Sequence, residues 1–425
     1  MNGNRYIALL LWFVLSSCHI LRSDPVPPPV TDGGQDEPQV VHTDPGRTDP
    51  VIDDAETLPD VSKTNTVEFH GELFQVEQGK SSFDVALILP FYLNEVSGKL
   101  NPTAKIMLEY YQGVKLALGE LEAMGLNLRL HIYDNKNDTS ETRRILRKNE
   151  LKKVEMIIGP ILESHLQIVS DFSVKHEIPL FSPFSRIDKL NRPNPLLYTS
   201  IPGNKLLAEQ IVEHWAVNYP DSKVIILNDS SWQASRSVPL VIEALKRNGE
   251  LMYSVVGYSS DLDWEKKLRQ SGLNLVYMPT NNRRKVSSSL GKIFAAKREV
   301  TIYGEQSWSS FEDCDYNFWT KLNVHLISHE FDNAHDSDRI EMRLNFRSQF
   351  QEDPGVYACM GYDQMRFVGE FFLAFGEHFP LYLDGRSFRY SISSYRFNQY
   401  DGFRQNHHLY FLKFEDFRLK EFDES

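Results

Sequence analysis

Apolar residues in this chain fall into short unbroken runs, separated by stretches in which they recur every three or four positions. Phe83-Asp84-Val85-Ala86-Leu87-Ile88-Leu89-Pro90 is one such run, almost wholly apolar and stopped by proline. It suits a strand buried on both faces, as in a parallel sheet, better than a strand with one wet side. After a polar loop, Ile106, Tyr110, Val114, Ala117 and Leu121 share one face of an expected helix. Thr103 is its expected N-cap, and Gly125 its left-handed end. A second strand, Leu126 to Tyr133, completes a strand–helix–strand crossover unit.

The alternation continues along the chain. Strands are expected at 154–158 and 178–181, with a helix near 164–176 between them and the loop Ser182-Pro183-Phe184-Ser185 after the second. A helix carrying Leu207, Ile211 and Trp215 leads to a new set of units. Strands there are expected at 224–227, 252–258, 274–278, 300–303 and 324–328, with helices near 264–270 and 284–296. Pro239 fits the first turn of a further helix ending near Asn248-Gly249. A long, mostly buried helix is expected from Gly361 or Tyr362 to Phe375, and 388–414 alternates like antiparallel strands with a turn at Asp401-Gly402. The fold class is therefore α/β, two doubly wound parallel-sheet lobes with an interlobe cleft. One lobe takes roughly 83–205 and the other roughly 206–330, each with part of the C-terminal region.

Composition changes that picture mainly at the N-terminus. Arg5, the apolar run Ile7 to Leu15 and Cys18 make 1–18 an export signal, with a core too short to span a bilayer. Residues 19–66 hold eight prolines and few large apolar side chains, which predicts a disordered linker. The net charge is −12, but 24–60 alone carry ten acids against Arg47, so the folded part is nearly neutral. There is no basic footprint for nucleic acid. Of the three cysteines, Cys314 and Cys359 either pair in an oxidising compartment or are two buried small hydrophobes.

Leu15-Ser16-Ser17-Cys18 resembles a bacterial lipobox, which implies lipidation of Cys18 and a membrane anchor in the cell envelope of a Gram-negative bacterium. His19, in place of the aspartate that retains many lipoproteins on the inner membrane, points to the outer membrane, facing the periplasm. A wider resemblance rests on Gly113-Val-Lys-Leu-Ala-Leu-Gly-Glu-Leu with Tyr133-Asp134, Ile157-Ile158-Gly159-Pro160, Ile178-Pro179 to Pro183, and Gly361-Tyr362-Asp363. In order and spacing these resemble type 1 periplasmic binding proteins, the superfamily of leucine-binding-like transporter subunits, over roughly 83–415. The resemblance implies two α/β lobes joined by three crossing strands, with ligand between them. Open parallel sheets place ligands there for an independent reason: helix N-termini present free N–H groups beyond the strand ends.

By position, the candidates for ligand contact are Ser164, Ser182 and Ser185 in the first lobe and Thr280 and Glu305 in the second. Ser164 and Ser185 are equally helix-cap or turn residues, and Glu305 either binds an ammonium group or is a solvated loop acid. Phe91 and Tyr92 either stack on a ligand or pack under a loop, and the 182–185 loop lacks the Ser/Thr cluster of the family it resembles, which leaves Phe184 to fill space that a ligand would occupy. Enzyme signatures are thin. His329-Glu330 with His335 misses the four-residue spacing of HExxH, and His407-His408 sits in an apparent strand, where neighbours point to opposite faces. No cofactor or metal is implied. Two functions remain open: an anchored protein that captures an amino acid or peptide-like solute for a transporter or sensor, or an envelope scaffold binding a cell-wall synthase, as penicillin-binding-protein activators of this superfamily do.

Overall fold

A computed structural model describes residues 64–77, 79–93, 101–311, 316–416 and 418–422. Cys18, the signal, Cys314 and all of the expected linker except 64–66 lie outside them.

The chain enters as a hairpin, β1 (Thr64–Phe69) and β2 (Glu72–Glu77), which the sequence pattern did not assign. The first lobe then builds β3 (Phe83–Leu89), α1 (Pro102–Ala123), β4 (Leu128–Asp134), α2 (Thr139–Leu146), β5 (Met156–Ile158), α3 (Glu163–His176), β6 (Leu180–Ser182) and β7 (Leu197–Thr199). The second lobe follows with α4 (Asn204–Asn218), β8 (Lys223–Asn228), α5 (Trp232–Asn248), β9 (Met252–Gly257), α6 (Trp264–Lys267) and β10 (Asn274–Met278). It continues with α7 (Arg283–Ala295), β11 (Val300–Glu305), α8 (Tyr316–Lys321) and β12 (Val324–Ser328). The chain returns to the first lobe as α9 (Ser337–Phe350), α10 (Val356–Phe375), a short pair β13 (Phe388–Arg389) and β14 (Ser394–Tyr395), then β15 (Phe397–Tyr400) and β16 (Phe403–Asn406). It ends in the second lobe as β17 (Tyr410–Glu415) and β18 (Arg418–Glu421).

Both lobes carry a seven-stranded sheet of the same design, ordered β15-β16-β7-β6-β5-β3-β4 in the first and β18-β17-β12-β11-β10-β8-β9 in the second. The strands from β3 to β7 and from β8 to β12 pair in parallel, and each sheet gains two edge strands from the C-terminal region: in the first, β16 runs parallel to β7 and β15 antiparallel to β16, while in the second β17 is antiparallel to β12 and β18 to β17. The chain passes between lobes three times, after β7, after β12 and after β16, as the two-lobe expectation requires. Each sheet separates two apolar cores. Along β3, Val85, Leu87 and Leu89 enter one core while Ala86 and Ile88 enter the other, so the unbroken apolar run is the direct consequence of burial on both faces.

Several element ends differ from expectation for identifiable reasons. Asn101, not Thr103, caps α1: its Oδ1 accepts the Thr103 N–H at 2.9 Å, and Pro102 takes the first turn, where a missing N–H costs nothing. Helix α5 begins at Trp232 behind the cap Ser231, so Pro239 sits inside it rather than in its first turn. Helix α10 starts five residues before Gly361 and packs against α1. That contact explains two of the motif glycines. A Cβ on Gly113 would lie 1.8 Å from the Ala358 carbonyl oxygen, and one on Gly361 would lie 2.1 Å from that of Tyr110. The two helices touch backbone to backbone at these points.

The remaining motif acids are structural. Asp363, on α10, accepts the N–H groups of Ser391, Ile392 and Ser393 and the Ser391 hydroxyl, at 2.7–3.0 Å. Asp134, at the end of β4, accepts the N–H groups of Phe91, Tyr92 and Leu93 and so shapes the loop after β3. The hairpin lies on α10 through Phe69, whose ring meets Phe371 at 4.8 Å and Phe375 at 5.0 Å. Asp401 and Gly402 both take positive φ, as the tight turn of the β15–β16 hairpin requires.

Candidate functional site

The strand ends of the two sheets face one another across a cavity of about 580 Å3. Its first-lobe wall is the start of α3, with Leu162, Glu163 and Ser164, and the loop after β6, with Phe184, Ser185 and Arg186. The facing wall is the start of α5, with Trp232 and Arg236, together with Tyr277 on β10 and Glu305 at the end of β11. Helix α3 has no side-chain N-cap, since Leu162 occupies that position. Its first N–H groups therefore open toward the cavity as an anion-favouring dipole end.

Two ionisable groups on the facing walls make no ion pair within 4 Å among the described residues. Arg186 is partly buried and bonds only neutral groups, the Asn204 Oδ1 at 2.7 Å and the His329 Nε2 at 3.4 Å. Burial pulls its pKa below the ordinary guanidinium value, opposed by the acids Asp188 and Glu305. Glu305 is also partly buried, and its carboxyl group accepts no hydrogen bond from the described residues; burial raises its pKa, opposed by the charge of Arg186. Close by, His329 is held neutral, its pKa pushed down to about 3 by burial and by the Arg186 charge. A cation and a carboxyl group thus line one cavity, each partly desolvated and neither in an ion pair within 4 Å among the described residues, an arrangement that the carboxylate and ammonium of a zwitterion would complement.

Of the residues singled out from sequence, Ser164, Ser185 and Glu305 line this cavity. Ser185 is 3% exposed, and its hydroxyl has no hydrogen-bond partner among the described residues. Ser182 does not line the cavity. It is fully buried, and its Oγ donates to the Ser185 carbonyl and accepts the Ser185 N–H, both at 3.2 Å, so it serves the turn.

Thr280 is likewise absent from the wall: its hydroxyl donates to Asp229 Oδ2 at 2.7 Å, and its carbonyl accepts the Trp308 indole N–H at 2.7 Å. Lys285 completes that cluster at 3.0 Å from the same carboxylate oxygen. Burial opposes ionisation of Asp229, but bonds from Ser231, Thr280 and Lys285 outweigh it and draw the pKa down to about 2. Phe91 packs in the first-lobe core, edge-on to Tyr111 at 6.0 Å, and Tyr92 is held by its N–H on Asp134; neither reaches the cavity. Phe184 is part of the wall, edge-on to Tyr110 at 5.3 Å, and does not fill the space.

Sequence reasoning missed Arg186, Trp232, Arg236 and Tyr277. Arg186 directly follows a loop already singled out, so a charged residue at a sheet's C-terminal edge was the available signal. Arg236 reaches the cavity from the second turn of a helix, which spacing alone does not reveal. Among the described residues no group of three or more His, Cys, Asp or Glu side chains is placed to hold a metal ion. Cys359 is a buried free thiol. No helix among the described residues is long and apolar enough to cross a membrane.

No family model matches the sequence, and no curated protein does. Solved structures do match the fold. A putative branched-chain amino acid ABC transporter protein from Rhodospirillum rubrum is similar over 80% of this chain and 100% of its own, with a TM-score of 0.60 at 14% identity. An ABC transporter substrate-binding protein from Desulfitobacterium hafniense, solved with Leu, covers the same shares with a TM-score of 0.51 at 15% identity. A solute-binding protein of an ABC transporter from Rhodopseudomonas palustris, solved with 3,4-dihydroxybenzoic acid, covers 80% of this chain and 96% of its own, with a TM-score of 0.50 at 15% identity. The fold is that of the type 1 periplasmic binding proteins.

Proposed function

We propose that this chain, with the fold of the periplasmic solute-binding proteins, captures a small solute bearing both a carboxylate and an ammonium group, an amino acid or a short peptide. The single observation that carries this is the pair Arg186 and Glu305, groups of opposite charge on the two walls of the cavity that make no ion pair within 4 Å among the described residues. The solute carboxylate meets Arg186, the Ser185 hydroxyl and the N-terminus of α3; its ammonium meets Glu305. Solute touching both lobes favours the closed arrangement, which is the physical basis of capture. The role is binding, not catalysis. We further propose that Cys18 anchors the chain by lipid in the bacterial envelope, the linker giving it reach, and that a transporter or sensor is the partner.

A scaffold that has lost its ligand site is the competing function, and an interior filled by Phe91, Tyr92 and Phe184 would have favoured it. Instead the space is unfilled, with Phe184 in its wall and Phe91 and Tyr92 away from it. Thermal shift of the full chain against amino acids, short peptides and muropeptides tests the proposal, because any ligand of the folded state raises the melting temperature by mass action. A solute-dependent rise is expected. No rise with any of these classes at millimolar concentration turns the assignment to the scaffold.

A further inference from the structure

The lobes are tied to each other by charge beside the solute cavity. Arg236, on α5 of the second lobe, sits 3.3 Å from Asp188 and 3.9 Å from Glu163, both in the first lobe. The three side chains are 26%, 20% and 16% exposed, dry enough for the pairs to resist full screening. The Arg236 guanidinium also lies over the Trp232 ring at 4.6 Å, which fixes its direction.

Asp188 does more than pair with Arg236. It accepts the Asn204 N–H at 2.8 Å and the Asn204 side-chain amide at 2.6 Å. Asn204 is the first residue of α4, directly after the first passage between lobes, and its Oδ1 accepts from Arg186. Arg186, Asn204, Asp188 and Arg236 thus form one chain of bonds from the cation of the cavity, through the crossing, to the bridge between lobes.

We propose that Arg236 is an interlobe latch, holding the cavity shut through Asp188 and Glu163 before any solute enters, with Asn204 tying the latch to Arg186. A binding protein that relies on its ligand alone for closure leaves the cross-lobe contacts to the ligand. Here the protein supplies them, so part of the closing free energy is present in the empty state. A partly exposed ion pair shifts an equilibrium by about five-fold, which is the expected change in the closed-to-open ratio when the latch is removed. The link to Arg186 rests on the solute-binding proposal; the latch itself does not.

Amide hydrogen exchange on the solute-free full chain tests it without reference to any ligand. In Arg236→Gln, exchange in 161–164 and 232–237 should rise about five-fold while β3 and β8 keep their protection. Added salt should raise exchange in these segments of the native chain and leave the variant unchanged. Arg236→Glu should open the cavity as well, and Arg236→Glu with Asp188→Arg should restore protection. Unchanged exchange in Arg236→Gln overturns the latch, as does a rise spread equally over β3 and β8, or a charge-swapped pair no better protected than Arg236→Glu alone. Failure of solute binding with these results intact would strike the functional proposal and leave the latch standing.

Discussion

Replacing Gly113 by alanine should destabilise the first lobe, although the same change elsewhere on that helix should not. The added Cβ would lie 1.8 Å from the Ala358 carbonyl oxygen and 2.7 Å from the Tyr362 nitrogen. Both are backbone atoms of α10, so no side chain can rotate away and the two helices must separate by more than an ångström. Overpacking typically costs about 1–3 kcal/mol, and a backbone clash belongs at the upper end. Alanine recovers about 1 kcal/mol as the better helix former. The net loss is about 2 kcal/mol, or about 4–8 °C in melting temperature for a lobe of this size. Gly119 supplies the control: it is an exposed glycine on the same helix with nothing within 4 Å of its Cβ position. Gly119→Ala should leave stability unchanged or raise it by up to about 1 kcal/mol. Chemical denaturation of both variants reads the difference. Equal stabilities for the two would refute the backbone-contact account of α1 and α10.

Acid should weaken the fold through its buried histidines. His325, His329 and His408 have pKa values held down to about 3, 3 and 4 by burial, so between pH 6.5 and 4 the unfolded chain binds more protons than the folded one. Stability should thus be fully present above about pH 6.5 and fall as the pH drops toward 4, and His325→Gln should flatten that slope; denaturation midpoints at several pH values measure it. Thr280→Val removes a hydroxyl from Asp229 and should cost about 1–3 kcal/mol of stability while leaving solute affinity unchanged, as calorimetry would show. Cys18→Ala should release the chain from membranes, and unchanged fractionation with membranes would end the lipid-anchor proposal.

The fold was legible where burial leaves a plain mark. Strands such as Phe83–Leu89 and Lys223–Asn228 are covered on both faces, so their sequences are continuous apolar runs. Helix α9 left no such mark: only Arg339, Met342 and Phe346 are buried, too few for a clear apolar stripe. The β1–β2 hairpin gains its place from aromatic contacts with α10, far along the chain, which a local pattern does not contain. For the site, topology was enough to put Ser164, Ser185 and Glu305 at the cavity, since strand ends are set by the sheet order. It was not enough to say which strand-end hydroxyls are free. Ser182 and Thr280 stand at the right ends, but a turn and a buried aspartate claim them.

Titration calorimetry on the solute with the largest thermal shift shows whether Arg186 and Glu305 together hold a zwitterionic solute. Losing one buried charged partner should weaken binding by roughly five- to a hundred-fold, so Arg186→Gln and Glu305→Gln should each show that loss. Lys175→Ala, at an exposed position that does not line the cavity, should bind as the native chain does. Native affinity in both Arg186→Gln and Glu305→Gln would contradict the claim.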